Sequence, residues 1–199
     1  MTHIHGYTMG HVGAATAAAA VSGAELSQLR ASVLFGDDDR AALRRAGELL
    51  DDQIDALLDV WYGFVGSQPH LLAQFSNPSG APIGDYLDKV RARFGQWVRD
   101  TCAGDYGDDW LAYQHEIGRR HARVAKNTTD GADSTAYVPM RDLIALIVPI
   151  TVTVRPFLAG RANADDDVDA MMGAWPKAVE LSVALWTQPY VADGQWQQA

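Results

Sequence analysis

Basic residues are in short supply: sixteen Lys and Arg stand against twenty-five Asp and Glu, for a net charge of −9 over 199 residues. A chain so charged repels a phosphate backbone, and no nucleic-acid partner is expected. Cysteine is nearly absent. The single Cys102 excludes an intramolecular disulfide framework, fits a reducing cytoplasm, and reads as a small hydrophobe at the edge of an apolar helical face. Long hydrophobic runs are missing too. The best candidate, Leu143 to Val154, is twelve residues long and holds Pro149, against the ~20 residues that a bilayer-crossing helix needs. The N-terminal stretch has an alanine run but neither a basic leader nor a strongly apolar core, so it does not read as a signal peptide. There is no Gly-rich phosphate loop, no paired-cysteine motif and no Gly-x-Ser-x-Gly elbow. His115 and Glu116 are adjacent, so they point to different sides of a helix and do not make the Glu-x-x-His pattern of di-iron bundles. His3, His5 and His11 are irregularly spaced near the terminus, a weak zinc signal, and read as solvent-exposed or adventitious metal binders.

What is present is helix after helix. Nearly half of the residues, 48%, are hydrophobic, and no internal repeat or linker divides them, so an all-α single domain is expected. The spacing predicts a short helix from Gly23 to Leu34 capped by Ser22, then a long one after the acidic run Asp37 to Asp39. In the latter Leu43, Leu50, Ile54, Leu57, Leu58, Trp61, Tyr62 and Val65 recur at three and four. Pro69 starts a turn of helix through Phe75, and a polar loop runs from Asn77 to Gly84. Asp85 to Cys102 carries a stripe of Leu87, Val90, Phe94, Trp97 and Val98. Met140 to Leu158 is rich in β-branched residues, but Pro149 argues against a central strand, so it reads as a helix buried nearly all round and kinked at Pro149. The last helix, Asp165 to Trp186, should kink at Pro176. Helices of unequal length joined by irregular loops favour a globin-like packing over a regular bundle.

The stretch from Trp110 to Asp130 carries the chemistry. At helical spacing Trp110, Tyr113, Ile117, His121 and Val124 share one face. That puts His121 in an otherwise apolar stripe, beside the small residues Gly118 and Ala122. Arg119, Arg120, Arg123 and Lys126 form a cationic collar near the helix end, where the helix dipole favours cations. A haem needs one axial nitrogen, contact for its macrocycle and counter-charges for its propionates, and this stretch offers all three. A histidine on an apolar face also has a plainer reading, as a core residue satisfied by a backbone carbonyl or a water. Tyr62 likewise lies on an apolar face, with Leu58 and Val65, where its hydroxyl either meets a ligand or bonds a carbonyl.

Three stretches in order carry a family resemblance. Trp61-Tyr62-Gly63-Phe64-Val65-Gly66-Ser67, then Tyr113-Gln114-His115-Glu116-Ile117-Gly118-Arg119-Arg120-His121, and then Pro149-Ile150-Thr151 resemble the protoglobins, single-domain haem globins of archaea and bacteria. The similarity extends from Gly6-Tyr7 to Pro189-Tyr190. It implies a globin fold with an additional N-terminal segment and helix, a deeply buried haem b (iron protoporphyrin IX), and a homodimer formed largely by the last two long helices. It also implies an N-terminal extension at 1–21, a globin domain at 22–191 and a C-terminal tail at 192–199. By resemblance the metal ligand falls on His121, the distal tyrosine on Tyr62 next to Trp61, and a pocket phenylalanine on Phe94. Leu143, Leu146 and Ile150 match haem-lining positions. The chain departs from the family at Ala122, where relatives often have a second histidine, at Leu146, where they often have phenylalanine, at His115, where they often have tyrosine, and at Pro176.

Two function classes follow. One is reversible binding of a diatomic gas (O2, CO or NO) for sensing, storage or transport. The other is a haem enzyme that detoxifies nitric oxide, peroxide or reactive nitrogen species. No flavin motif or signalling domain is recognisable in the sequence, which favours binding and implies a separate redox or signalling partner. No histidine occurs around Tyr62, which weakens the peroxidase reading.

Overall fold

Ser22 opens the first helix with a reciprocal cap. Its hydroxyl accepts from the Glu25 N–H, and the Glu25 carboxylate accepts from the Ser22 N–H at 2.7 Å, which satisfies two donors at the start of α1 (Gly23–Ser32). The computed structural model of the protein describes residues 4–7, 9, 21–191 and 196. Among these the fold is all-α, with no strand and only an isolated bridge between Ser76 and Pro82.

The long helix expected after the acidic run is two helices, α2 (Asp37–Leu50) and α3 (Ile54–Gly66), joined by a 3₁₀ turn at Asp51–Gln53. The apolar spacing carries on across the break, which is why periodicity does not reveal it. The Gln53 side-chain amide donates to the Leu49 carbonyl at 2.7 Å, doing for α2 what the next turn of backbone would have done. α4 (Pro69–Leu72) and a 3₁₀ turn at Ala73–Phe75 follow, then α5 (Gly84–Ala103). The latter ends at Gly104, whose φ of 71° is left-handed, a conformation that glycine adopts without Cβ strain.

α6 (Asp108–His121) stops earlier than the apolar stripe suggested. The His121 carbonyl accepts from Val138 N–H at 2.8 Å, a tertiary bond that takes the acceptor a further turn would have used. Ala122 is extended, and Val124 is 59% exposed. His121 is therefore the last residue of its helix rather than the middle of a stripe. After an irregular loop come α7 (Met140–Ala145), α8 (Ile147–Arg161) and α9 (Val168–Thr187). The expected kink at Pro149 is a one-residue interruption at Leu146, whose φ of −72° and ψ of −9° stay in the right-handed helical region. A proline lacks the N–H for the carbonyl four residues back and its ring crowds it; for Pro149 that carbonyl is Ala145's, at the end of α7. Pro149 itself then sits in the first turn of α8, where no intrahelical donor is required. α9 continues through Pro176.

The helix buried on most sides is α9 rather than α8. Met171, Ala174, Trp175, Ala178, Val179, Leu181, Ser182, Val183 and Leu185 of α9 are buried, and α2, α6 and α8 all pack against it. α8 buries only Ile150, Val154 and Leu158. Met140, Ile144, Val148 and Val152 lie four residues apart on an open face, with Val148 67% exposed. Taken together, Met140–Arg161 is 22 residues and contains an 18-residue window with a mean hydropathy of 1.9, so this stretch is long and apolar enough to cross a bilayer by length and composition. That corrects the twelve-residue estimate. Cys102 is buried as expected.

α6 meets α9 at unusually close range. A Cβ placed on Gly118 would lie 2.9 Å from the Trp186 Cα and 3.0 Å from its carbonyl oxygen, both backbone atoms that cannot swing aside. Gly118→Ala is expected to destabilise the protein by about 1–3 kcal/mol. Gly63→Ala, on a helix surface with nothing within 4 Å, should be neutral or stabilise by up to ~1 kcal/mol. Urea unfolding monitored by circular dichroism measures both.

Candidate functional site

All seven residues singled out in the sequence line one cavity. Trp61 and Tyr62 come to it from α3, Phe94 from α5, His121 from the end of α6, and Leu143, Leu146 and Ile150 from α7, the interruption and α8. Its walls are largely apolar, completed by Val90, Val138, Val179 and others. An aromatic belt runs round it. Tyr62 meets Phe94 edge-on at 6.4 Å, and Trp61 meets Phe94 at 5.7 Å. Phe94 meets Trp97 at 5.5 Å, and Trp97 meets Trp186 at 5.5 Å.

The two readings of His121 turn out to be compatible, because an imidazole has two nitrogens. Nδ1 lies 2.8 Å from the Ile117 carbonyl. A carbonyl only accepts, so Nδ1 carries the proton and Nε2 keeps its lone pair. Burial pushes the His121 pKa down, and the nearby Lys126, Arg120 and Arg93 push it further, against the opposing pull of the Ile117 carbonyl. The ring is therefore held neutral, the form that ligates a metal. Among the described residues Nε2 has no hydrogen-bond partner. His115, six residues earlier on α6, does not line the cavity.

Tyr62 also lines the cavity. Burial raises its pKa, so the hydroxyl stays protonated and is a donor. Among the described residues it makes no hydrogen bond; the carbonyl contact expected of an ordinary core tyrosine is not found there. Phe75 packs edge-on against its ring at 6.2 Å, and the Arg91 guanidinium lies over it at 5.9 Å.

The cationic collar divides. Arg123 sits over the Tyr137 ring at 4.6 Å, and Arg119 pairs with Glu116 at 3.4 Å; neither lines the cavity. Arg120 does, but it is already paired with Glu116 at 2.9 Å. Arg93 lines it as well and is matched by a two-point ion pair to Asp130 at 2.6 and 3.1 Å. Lys126 is different. It is 4% exposed, and its ammonium bonds only neutral oxygens: Gln74 O at 2.9 Å, Ser134 Oγ at 3.3 Å and Asn127 Oδ1 at 3.5 Å. Burial pushes its pKa down to about 8. Among the described residues it is the cavity-lining cation without a carboxylate.

The N-terminal segment is fastened to this polar edge. The carbonyls of His5 and Gly6 accept from Arg93 and Arg120, and the Tyr7 ring lies 4.6 Å from that of Tyr113. His5 is exposed; His3 and His11 lie outside the described residues. No cluster of three potential metal-ligating side chains occurs among the described residues. Trp186, Trp97, Asp130 and Arg93 are cavity residues that sequence reasoning missed. Trp186 in particular reaches His121 from a helix 65 positions away, a contact that no local spacing encodes.

The site fits a haem on its own chemistry. Among the described residues it has a neutral imidazole nitrogen with no hydrogen-bond partner, flat aromatic and aliphatic walls, and at one edge a buried ammonium bonded to neutral oxygens. An all-α fold around such a cavity is that of a haem-binding globin. The chain matches the protoglobin family model over residues 22–196 and belongs to that family. It is thus a haem globin of the gas-binding kind. No curated protein matches it.

Proposed function

We propose that this protoglobin holds a haem b through Nε2 of His121 and binds O2, CO or NO reversibly, as a gas sensor, store or carrier rather than a dedicated enzyme. The observation that carries this reading is the Nδ1 bond to the Ile117 carbonyl, which leaves Nε2 free in the cavity shared by Trp61, Tyr62, Phe94, Leu143, Leu146 and Ile150. When bound, the haem supplies an iron coordination position for a diatomic ligand. The chain supplies the rest. Phe94, Leu143, Leu146 and Ile150 exclude water from the macrocycle's surroundings. Lys126 offers its uncompensated charge to a propionate, while Arg93 and Arg120 remain tied to their own carboxylates. Leu146, smaller than the phenylalanine frequent in relatives, leaves more room for ligand entry.

Tyr62 selects among ligands. At a haem held here O2 would take on partial negative charge and accept from the Tyr62 hydroxyl, whereas CO would take on little. A donor hydroxyl therefore retains the first and not the second.

We further propose that the globin domain spans residues 22–191, between an extension at 1–21 and a tail at 192–199. It pairs as a homodimer through the open face of α7 and α8, with contributions from α9. Four apolar side chains at four-residue spacing, Met140, Ile144, Val148 and Val152, make a stripe suited to a second copy. Sensing or redox turnover would engage a separate partner.

His121→Ala is expected to abolish the ferrous CO spectrum of the purified haem protein, and His115→Ala to leave it unchanged; a normal spectrum in His121→Ala would remove the ligand assignment. Tyr62→Phe keeps the ring and removes the donor. A net hydrogen bond is worth roughly 0.5–1.5 kcal/mol, so O2 release in stopped flow should quicken up to about tenfold with CO release nearly constant. Equal changes for both gases would make Tyr62 a packing residue. Val148→Glu should convert a dimer to a monomer by light scattering at micromolar concentration with the haem spectrum retained, and a wild-type monomer would refute the assembly.

A further inference from the structure

The wall behind His121 is built from residues that the reading above gives no part. The His121 imidazole and the Trp186 indole are stacked nearly parallel and offset, with centroids 5.4 Å apart and planes inclined by 11°. The indole is not free to tilt. Its Nε1–H donates to Oε1 of Gln114 at 2.8 Å, and its ring also meets Trp97 at 5.5 Å. Its backbone is pressed against Gly118, where a Cβ would come within 2.9 Å. Gln114 is 1% exposed and stands on α6 about two turns before His121, so the anchor and the histidine ride on one helix. Among the described residues Gln114 Nε2 has no partner. The bond to Trp186 is thus the hydrogen bond that fixes this buried side chain.

The contact to Ile117 cannot by itself fix the imidazole plane. A carbonyl accepts over a broad range of directions, so one bond at Nδ1 leaves the ring free to rock. A flat indole held against the ring face removes that freedom. We propose that Trp186, locked by Gln114, is a positioning residue that fixes the rotation of the His121 ring, and with it the strength of the bond that Nε2 makes to haem iron. The inference rests on His121 being the ligand.

The iron–histidine stretching band in the resonance Raman spectrum of the ferrous haem protein reads this bond directly. The band should shift and broaden in Trp186→Leu and in Gln114→Met, the second of which keeps the side-chain volume and removes the acceptor. Haem loss to an acceptor protein should quicken by about 2- to 10-fold in Trp186→Leu, the worth of one stacked pair. In the diamagnetic ferrous CO form, the Trp186 indole N–H resonance should move upfield in Gln114→Met. Trp175→Phe is the control for general loosening. Trp175 is buried, and its Nε1 bonds the Ile150 carbonyl at 3.4 Å without touching His121. Its loss should lower the melting temperature and leave the band in place.

A wild-type band in both Trp186→Leu and Gln114→Met, with the band lost in His121→Ala, would overturn the positioning role and leave the ligand standing. A band retained in His121→Ala would instead overturn the ligand assignment. If Trp186→Leu does not fold, the band in Gln114→Met decides alone.

Discussion

The approach of α6 to α9 at Gly118 sets the position of everything around the cavity. Because no Cβ intervenes, the two backbones meet at a distance that only glycine admits, and the last turn of α6 is laid along the last turn of α9. That places the His121 ring against Trp186. α9 can act as the reference because α2, α6 and α8 all rest on it and its side chains are buried on most sides. Interiors so packed do not deform smoothly. A shift at this crossing would move the histidine as a unit with the wall behind it, and leave Tyr62 on α3 where it was.

Charge is arranged on two scales that point in opposite directions. The whole chain carries −9, which governs long-range encounters and solubility. The cavity edge carries Arg93, Arg120 and Lys126. Counting these cations alone would suggest room for three anionic groups. The ion pairs reduce that: Asp130 occupies Arg93 and Glu116 occupies Arg120. Holding a buried ammonium among neutral oxygens is costly, and the depression of the Lys126 pKa to about 8 expresses that cost. The position is tolerable when a carboxylate arrives to share it.

How much of this was legible in the sequence depends on the range over which each feature is encoded. The all-α class, the Ser22 cap and the burial of Cys102 are local, and they read correctly. The seven cavity residues came from a stripe and a resemblance, and the fold brings all seven to one cavity. The boundaries that failed are those set by side-chain or tertiary hydrogen bonds. The Gln53 amide splits α2 from α3, and Val138 ends α6 at His121. Pro149 was read as a kink, and the interruption falls three residues earlier, at Leu146, because Pro149 has no N–H for the Ala145 carbonyl. Trp186 was visible as a core residue but not as the partner of His121, because the contact needs the crossing of two helices that are distant in sequence. Gly118 was legible as a small neighbour of His121, but not that α9 fills the space beside it.

α8 looked buried all round because it has two apolar faces, and the fold buries only one. Ile150, Val154 and Leu158 face inward, while Val148 and Val152 do not. Length and hydropathy alone would let the Met140–Arg161 stretch enter a bilayer, but in this fold its inner face is packed on the core. Arg155 is paired with Asp169 at 2.8 Å and Arg161 with Asp52 at 2.6 Å, which ties the outer turns of α8 to charged groups on α9 and beside α2. A crossing would have to strip Val154 and Leu158 from the core and take Arg155 toward hydrocarbon, a step costing several kcal/mol or more. Covering Met140, Ile144, Val148 and Val152 with the same stripe of a second copy leaves both the core and the ion pairs in place.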